Sequence, residues 1–443
     1  MEKLILLATT DVHGSVYAHS YADGSTLGLG LTRFSSAVKH YRSNYETLVL
    51  DNGDILQGTP LLTVANQTQH KHVLSQILNQ IGYDAVNLGN HDFNFGHDVY
   101  RRYLRDLLAP CLTSNILDHD TPIGHSKLIR TKGNRFIALI GVCTDYIPHW
   151  EKPAHIRNLT FLDPIDTVKK EITRLRPYAD LVVVMYHGGL ERDPSIGSLT
   201  ERPTGENVGY EMACLEGIDI LITGHQHRSF IAKINQTLVT QSTFNAKEFV
   251  EITIDFDQTE KCVARIIPMD TFERDEMIEE IARPIEIETQ KWLDQPLGSV
   301  DGPSLKIDDS FLARRDKHPL VSFINQVQLE VSHAQLSAVA LFNNASGFNH
   351  DITMRDIVST YIYPNTLVVK QIDGKTLKEF LEKCAEYFSL RDDRIIVNPQ
   401  YDEPKPQHFN YDMVDGIDYT INVSKPVGSR IIELRYKGKP VSE

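Results

Sequence analysis

One stretch decides the fold: TLVLDNGD, residues 47–54. Its first half is a short run of apolar residues that favour a strand, and its second half is a polar turn. Four other runs have the same form, and helical patterns lie between them, which is typical of βαβ units. They are Leu4–Thr10 before Asp11 and His13, Asp84–Leu88 before Gly89-Asn90-His91-Asp92, Leu181–Tyr186 before His187, and Ile218–Thr223 before Gly224-His225-Gln226-His227.

The length of the chain, 443 residues, asks for more than one hydrophobic core. The charged segment Glu273–Leu297 predicts a connecting helix that Pro284 kinks or restarts. An apolar helical pattern begins again near His318. We therefore expect a first domain over residues 1–270, a linker with the connecting helix over 271–316, and a second domain over 317–443. In the second domain we predict a helix around Leu377–Phe388 and strands at Asp418–Val423 and Arg430–Tyr436.

The composition limits the partners and the compartment. A total of 45 Lys and Arg against 59 Asp and Glu gives a net charge of −14, which argues against a surface for nucleic acid polymers or anionic membranes and against a nuclease on long nucleic acid. The five cysteines form no CxxC pair, which fits a reducing compartment and excludes a zinc-thiolate framework. The apolar run Leu4–Ala8 is too short for a signal peptide, so we expect a cytoplasmic protein without a membrane segment.

Each polar cluster taken alone has an ordinary structural interpretation, such as a turn for Asp54 or a hydrogen-bonded core histidine for His187. All five clusters, however, directly follow an apolar strand, and ligands of parallel α/β sheets bind outside the carboxyl ends of the strands. The residues delivered there are aspartate, asparagine and histidine, which suit Mn²⁺, Zn²⁺, Mg²⁺ or Fe. Seven candidate ligands exceed what one ion with an open position can use, so we expect two ions that share a bridging carboxylate.

Taken in this order, the motifs resemble the signature of the calcineurin-like metallophosphoesterases. More narrowly, they resemble the bacterial 5′-nucleotidase superfamily, which includes the 2′,3′-cyclic-nucleotide 2′-phosphodiesterase/3′-nucleotidases. The most specific stretches are residues 51–58, 89–96 and 361–366, and the last of these, with 411–416, favours the cyclic-phosphodiesterase branch. The resemblance implies a four-layer α/β/β/α metallophosphoesterase domain joined by a helix to a smaller α/β nucleotide-specificity domain.

The resemblance also implies a role for each matching residue. Asp54 would bridge two divalent metal ions, which would activate a water molecule and clamp the phosphate oxygens. His91 would be a histidine outside the ligand set that contacts the phosphoryl group and acts as a general acid, with Asn94 beside it. The remaining ligands would be Asp11, His13 and His227 on one metal, and Asn90, His187 and His225 on the other.

Two departures bear on the substrate. The 5′-nucleotidase branch has an aspartate where this chain has Asn94, and it has arginines where this chain has residues 343–348, which contain none.

In the second domain Tyr363 matches one side of the family's aromatic sandwich around the base, with Asn365 beside it. Tyr361 is interpreted as an outward tyrosine of a strand. The partner aromatic of the family would lie beyond Glu443, so we expect a second domain that is incomplete at its C-terminus. Further candidate substrate contacts are Asn344 and Phe348.

The sequence thus predicts a hydrolase of nucleotide phosphoesters, with 2′,3′-cyclic nucleotides and 3′-nucleotides favoured over 5′-monophosphates. A 5′-nucleotidase or a UDP-sugar hydrolase is the alternative within the enzymes. A catalytically silent nucleotide-binding protein is the alternative outside them, and it would have no need of all seven ligands. The expected partner is a nucleotide or another small phosphoester, and the oligomeric state is left open.

Overall fold

The chain forms two compact units, Met1–Gln290 and Lys291–Glu443, in a computed structural model that describes residues 3–68, 70–361, 365–403 and 406–442. The strands of the first unit are β1 (Lys3–Thr9), β2 (Glu46–Asp51), β3 (Ala85–Val86), β4 (Ile116–Asp118), β5 (Thr121–Pro122), β6 (Lys127–Arg130), β7 (Phe136–Cys143), β8 (Leu159–Phe161), β9 (Leu181–His187), β10 (Ile220–Ile222), β11 (Phe230–Ile234), β12 (Thr237–Gln241), β13 (Glu248–Asp255) and β14 (Cys262–Pro268). The α-helices that begin in the first unit are α1 (Leu31–Asn44), α2 (Pro60–Gln67), α3 (Val73–Ile81), α4 (His97–Asp106), α5 (Pro164–Leu175), α6 (Gly209–Ala213) and α7 (Glu276–Leu293).

Two sheets form the centre of the first unit. One has the strand order β14-β13-β1-β2-β3 and the other β11-β12-β10-β9-β7-β6. Strands β1, β2 and β3 are parallel to one another, and so are β7, β9, β10 and β12. Side chains alternate between the faces of a strand. Leu6 of β1 and Val183 of β9 therefore share one buried core between the sheets, whereas the neighbouring Leu7 packs with the helices.

Helices cover the outer face of each sheet. Phe34 of α1 and Ile77 of α3 belong to the same buried cluster as Leu7 of the first sheet. Val168 of α5 and Met212 of α6 belong to the cluster that holds the outward side chains of β9. The order of layers is therefore helices, sheet, sheet, helices, which confirms the four-layer prediction.

The five apolar runs singled out in the sequence are strands, and each leads into polar residues at its carboxyl end. They are β1, β2 and β3 of the first sheet and β9 and β10 of the second. The polar residues after them therefore come from both sheets, at the edge where the parallel strands of each sheet end. This arrangement positions the site described below.

The connecting helix α7 is one helix through Pro284, so of the two predicted effects of this proline, a kink or a restart, the restart is wrong. An internal proline costs about 3 kcal/mol because it removes one backbone hydrogen bond. The fully buried side chains of Ile278 and Ala282 pack into the core of the first unit, and this burial offsets the cost. None of the helices in the described ranges, α7 included, combines the length and the apolar character needed to cross a membrane.

The second unit is a smaller mixture of helices and short antiparallel sheets. Its core contains Leu320, Val339, Tyr387 and Met413. The predicted helix around 377–388 ends at residue 385, because Phe388 begins a strand. Its helices are α8 (Ser310–Arg315), α9 (Pro319–Ser332), α10 (Met354–Thr360) and α11 (Gly374–Ala385). Its strands are β15 (Pro296–Ser299), β16 (Ser337–Ala340), β17 (Asp351–Thr353), β18 (Phe388–Arg391), β19 (Arg394–Val397), β20 (Asp412–Asp415), β21 (Asp418–Ile421), β22 (Ile431–Tyr436) and β23 (Lys439–Pro440).

Because Leu6 packs between the two sheets, we predict that Leu6→Ala strongly lowers the free energy of unfolding. Leu6 is fully buried, so its truncation should lower the free energy of unfolding by about 2–5 kcal/mol. Leu108→Ala is the matched control, because Leu108 is 83% exposed and its truncation should change stability by less than about 0.5 kcal/mol. Urea denaturation followed by circular dichroism measures both, and equal midpoints would contradict the sheet-on-sheet core.

Candidate metal centre

The first ligand cluster joins the end of β1 to the loop after β10. Asp11, His13 and His227 place ligand atoms within 4.8 Å of one another. Nε2 of His227 lies 3.5 Å from Oδ1 of Asp11 and 3.1 Å from Nε2 of His13. Two imidazole nitrogens and one carboxylate oxygen at this separation can bind a single ion.

The second cluster combines Asp54, His187 and His225, again with ligand atoms within 4.8 Å of one another. Nε2 of His187 lies 3.1 Å from Oδ2 of Asp54, and it lies 4.0 Å from Oδ1 of Asp11 in the first cluster. The side-chain oxygen of Asn90 is 2.8 Å from Nδ1 of His225. The structure thus brings together all seven residues that the sequence proposed as ligands.

Most of the candidate ligands have a left-handed backbone conformation, which residues other than glycine rarely adopt. Five of the seven candidate ligands have a positive φ, between 49° and 67°. Such left-handed conformations are costly outside glycine and persist where the surrounding structure enforces them. Here the loops enforce them on each other, since the backbone N–H of His13 donates to the carbonyl of Asp54. The five residues are Asp11, His13, Asp54, His225 and His227.

Two glycines are required by the close approach of the loops. Gly53 has a φ of +93°, and a Cβ there would lie 2.3 Å from the backbone nitrogen of Gly89. A Cβ on Gly89 would lie 2.2 Å from Oδ1 of Asp54. Any side chain at either position would push the loop after β3 away from the Asp54 carboxylate.

The carboxylates and imidazoles of the centre shift one another's pKa values. Burial alone would raise the pKa of Asp54, but the charges of His187, His91 and His13 hold it well below its ordinary value. Burial would likewise raise the pKa of Asp11, yet His227 and His187 hold it below its ordinary value. Burial lowers the pKa of His187, and the adjacent Asp54 reverses this and raises it to about 10. Both carboxylates are therefore ionised in a buried site, where nearby histidines compensate their charge and the hydroxyl of Thr10 donates to Oδ2 of Asp11.

Two buried atoms of the second cluster support a metal there. Oδ2 of Asp54 and Nε2 of His187 have no hydrogen bond of acceptable geometry within the described residues, although the two atoms are neighbours. Unsatisfied buried polar atoms are rare in proteins unless a water or an ion completes them. The donors of both clusters are carboxylate oxygens and imidazole nitrogens, so the residues fit divalent ions of the hard to borderline class.

Further groups hold the ligating histidines in place. Nδ1 of His187 donates to the carbonyl of Asn52 at 2.7 Å, which leaves Nε2 for the ion. Cys143, at the end of β7, lies opposite His187 in the register of β7 and β9 and is fully buried. On the outer side of His225, Nε2 is 2.9 Å from the carboxylate of Glu206. The strand-end pattern could not reveal Glu206, because it lies in the loop between β9 and α6.

Asp92 ties the loop after β2 to the loop after β3. Its Oδ1 accepts the backbone N–H groups of Ile55 and Leu56, both at 2.8 Å. Its Oδ2 accepts those of Gly89 at 2.7 Å and Asp54 at 3.0 Å. Burial and the nearby charge of Asp54 raise the pKa of Asp92 to about 6. Asp92 therefore fixes the backbone that carries the central carboxylate.

His91 lies at the edge of the two clusters. Its backbone N–H donates to Oδ1 of Asp54 at 2.7 Å, and its imidazole centroid is 5.3 Å from that of His13. Nδ1 of His91 is 2.7 Å from Oδ1 of Asn94, as the predicted pair requires. The amide nitrogen of Asn94 donates in turn to the carboxylate of Glu151 at 2.6 Å. No sequence motif pointed to Glu151.

An aromatic residue borders the centre beside Glu151. The indole of Trp150 lies 5.4 Å from the imidazole of His225 with an interplanar angle of 30°, and Trp150 is 45% exposed. Tyr146 and His149 stack on each other next to it, with ring centroids 3.8 Å apart. A partly exposed indole next to a ligating histidine offers an apolar surface at the mouth of the site.

The predicted substrate residues of the second unit have varied environments. Asn344 and Asn365 are exposed, and Phe348 is 5% exposed in the core of this unit. Phe348 also borders a cavity of about 840 Å³ together with Phe323. The prediction of an outward strand tyrosine is wrong for Tyr361, which follows the last residue of α10, is partly buried and packs edge-on against Phe342. Tyr363 lies outside the described residues.

Two family descriptions match the chain. Residues 5–229 match the Calcineurin-like phosphoesterase family, and residues 297–443 match the 5′-nucleotidase, C-terminal domain family.

Similar proteins match the chain over nearly its whole length. The trifunctional nucleotide phosphoesterase protein YfkN of Bacillus subtilis is 25% identical over 99% of this chain, which spans 34% of YfkN. The 2′,3′-cyclic-nucleotide 2′-phosphodiesterase/3′-nucleotidase of Salmonella typhimurium is 28% identical, and the chain spans 78% of it. The crystal structure of a candidate 5′-nucleotidase from Staphylococcus aureus, in complex with α-ketoglutarate, is 34% identical with a TM-score of 0.89; it covers 100% of this chain, which covers 88% of it.

Because four backbone N–H groups donate to the carboxylate of Asp92, we predict that Asp92→Asn weakens metal binding. An asparagine would turn an N–H group toward at least one pair of backbone N–H donors, so the loop that carries Asp54 should shift. We expect the affinity for Mn²⁺ or Zn²⁺ to fall by about 10–100-fold, as measured by isothermal titration calorimetry. Asp166→Asn, at an exposed aspartate of α5, should bind like the wild type. Unchanged affinity in Asp92→Asn would show that these contacts do not position Asp54.

Proposed function

We propose, since the chain belongs to the calcineurin-like phosphoesterase family and carries a 5′-nucleotidase C-terminal domain, that it hydrolyses nucleotide phosphoesters with the help of two divalent metal ions. Enzymes of this family are hydrolases of phosphoric ester bonds. The observation that carries the proposal is the assembly of seven oxygen and nitrogen ligands, from loops at the strand ends of two sheets, into two neighbouring clusters.

The residues divide between two ions in the proposed enzyme. Asp11, His13 and His227 would hold one ion and Asn90, His187 and His225 the other, with Asp54 between them. Asp54 suits the bridging position because its charge acts on histidines of both clusters, His13 in the first and His187 in the second. When bound, the ions supply an activated water and neutralise negative charge on the phosphoryl oxygens. The donor set suits Mn²⁺, Zn²⁺, Mg²⁺ or Fe.

His91 is the proposed general acid. It is held at the edge of both clusters by its backbone bond to Asp54 and its ring bond to Asn94, and it belongs to neither ligand set. An imidazole in this place can give a proton to the leaving oxygen as the phosphorus–oxygen bond breaks. Asn94 holds the ring so that Nε2 is the nitrogen that exchanges this proton.

The proposed substrates are 2′,3′-cyclic nucleotides and 3′-nucleotides. Asn94 and the absence of arginine in residues 343–348 of the sequence support this choice, because both depart from the 5′-nucleotidase pattern. The relative from Salmonella typhimurium, named for these two activities, supports it as well. A 5′-nucleotidase is the second candidate, and the similarity to the Staphylococcus aureus protein favours it.

The two parts of the chain would have different roles in the reaction. We assign metal chemistry to residues 1–270, the connection to residues 271–316 and nucleotide recognition to residues 317–443. Tyr363, Asn365, Asn344 and Phe348 are the proposed contacts to the nucleoside in the last part. Mononucleotides or similarly small phosphoesters are the expected ligands, since a chain with a net charge of −14 does not attract long nucleic acid.

A matrix of metals and nucleotides tests the proposed function. With Mn²⁺ or Zn²⁺ added, we expect faster hydrolysis of 2′,3′-cyclic AMP and 3′-AMP than of 5′-AMP and UDP-glucose. Asp54→Ala should reduce phosphate release to background, because it removes the proposed bridging carboxylate, while Asp166→Asn should keep wild-type rates. A higher rate on 5′-AMP would select the second candidate. Nucleotide binding without turnover under every metal would indicate a silent binding protein.

The variant His91→Ala tests whether His91 acts as a general acid or binds a metal ion. Because His91 lies outside both clusters, the variant should bind metal like the wild type. Its kcat should fall by about 10²–10⁴-fold, which is the usual contribution of a general acid. Metal content is measured by atomic emission and kcat by phosphate release. Loss of metal together with activity would make His91 a ligand instead.

A further inference from the structure

The carboxylate of Glu151 is buried at the outer end of a hydrogen-bonded chain that begins at His91. Its side chain is 6% exposed, and three donors converge on it. They are Nδ2 of Asn94 at 2.6 Å, Nδ1 of His155 at 2.8 Å and the backbone N–H of Lys152 at 2.7 Å. The donors from His155 and Lys152 bind Oε1, and the donor from Asn94 binds Oε2.

The direction of each hydrogen bond in this chain follows from its outer end. A carboxylate only accepts hydrogen bonds, so the amide group that Asn94 turns toward Glu151 must be the N–H₂. The oxygen of the same amide then faces His91, at 2.7 Å from Nδ1. An oxygen in that place requires a proton on Nδ1 of His91. Through the amide of Asn94, the carboxylate of Glu151 therefore favours the fixed proton on Nδ1 of His91.

We propose that Glu151 is a positioning residue of the reaction, which acts through the Asn94 amide to hold His91 in the tautomer and orientation that present Nε2 to the substrate. This inference rests on the proposed function, in which His91 serves the phosphoryl group. It also gives a reason why an asparagine suffices at position 94. The amide by itself has no preferred direction, and the carboxylate behind it supplies one.

Glu151→Gln tests the proposal by reversing the direction of the hydrogen bonds that join position 151 to His91 through Asn94. The backbone N–H of Lys152 can only donate, so it should retain the oxygen of the introduced glutamine and turn the N–H₂ of that glutamine toward Asn94. Asn94 would then flip and present its own N–H₂ to His91, which favours the other tautomer. We expect kcat to fall by about 10–100-fold with KM within about twofold of the wild type and metal content unchanged.

Adding Asn94→Asp to Glu151→Gln should restore the original direction of these hydrogen bonds. In Asn94→Asp alone, two carboxylates face each other across the bond to Glu151, and we expect a loss of similar size. In the double variant, the introduced aspartate can accept from both the introduced glutamine and His91, so kcat should recover to within about threefold of the wild type. Recovery is the result that a merely structural role of Glu151 would not produce. Additive losses in the double variant would overturn the proposal.

A matched control separates this effect from a general loss of buried charge. Glu251 is a buried glutamate of β13 that binds Tyr41 and Arg265, away from the chain described here. Glu251→Gln should leave kcat at the wild-type value even if it lowers the melting temperature. Should Glu151→Gln fail to fold, the comparison of Asn94→Asp with the double variant decides alone, by recovery or by its absence.

The tautomer of His91 gives a readout that does not need turnover. In the zinc-loaded protein with ¹⁵N-labelled histidine, assigned by comparison with His91→Ala, we expect a protonated Nδ1 in the wild type and in the double variant and a protonated Nε2 in Glu151→Gln. The same tautomer in the wild type and Glu151→Gln would overturn the proposal. If the wild type hydrolyses no nucleotide, the proposed function fails, and these spectra still test the role of Glu151.

Discussion

The structure of the site depends on two aspartates that are ionised and fully buried. Asp11 and Asp54 both have an exposure of 0%, and each lies directly beyond the end of a central strand. Like charges in a dry interior repel strongly unless cations or donors compensate them. In this molecule the compensation comes from histidines of both sheets, and the same atoms can be given to metal ions. The geometry of the loops is organised around this requirement.

The candidate ligands could be located from the sequence because their position is a local property. An apolar run that stops at Asp11, Asp54, Asn90 or His187 is visible in a few residues, and strand direction then places all of them at one edge. The four layers were expected from the resemblance to the metallophosphoesterases, and in the structure the alternation along β1 puts Leu6 and Leu7 on opposite faces accordingly. For α7 the local proline rule predicted a kink or a restart, and the restart does not occur because buried contacts of the whole helix outweigh one missing hydrogen bond.

The residues that support the ligands could not be predicted in this way. Glu151 meets Asn94 across 57 positions of the chain, and Glu206 meets His225 across 19. Nothing in the sequence near these glutamates distinguishes them from glutamates on the surface. Asp92 is different, because it stands next to a predicted residue, yet its four backbone partners depend on how two loops approach each other. Such contacts exist only after the sheets have packed, so they belong to the tertiary structure and leave no periodic signal.

The burial of Cys143 bears on which elements the centre can admit. Its thiol lies across the strand register from His187, and burial raises the pKa of this thiol well above its ordinary value. The sulfur is therefore a neutral thiol packed in the apolar core, although it lies on the strand next to a candidate ligand. Thiophilic ions such as Cd²⁺ or Hg²⁺ gain their usual advantage from sulfur, whereas the two candidate clusters consist of carboxylate oxygens and imidazole nitrogens. Within the described residues, these clusters thereby favour hard to borderline ions over soft ones.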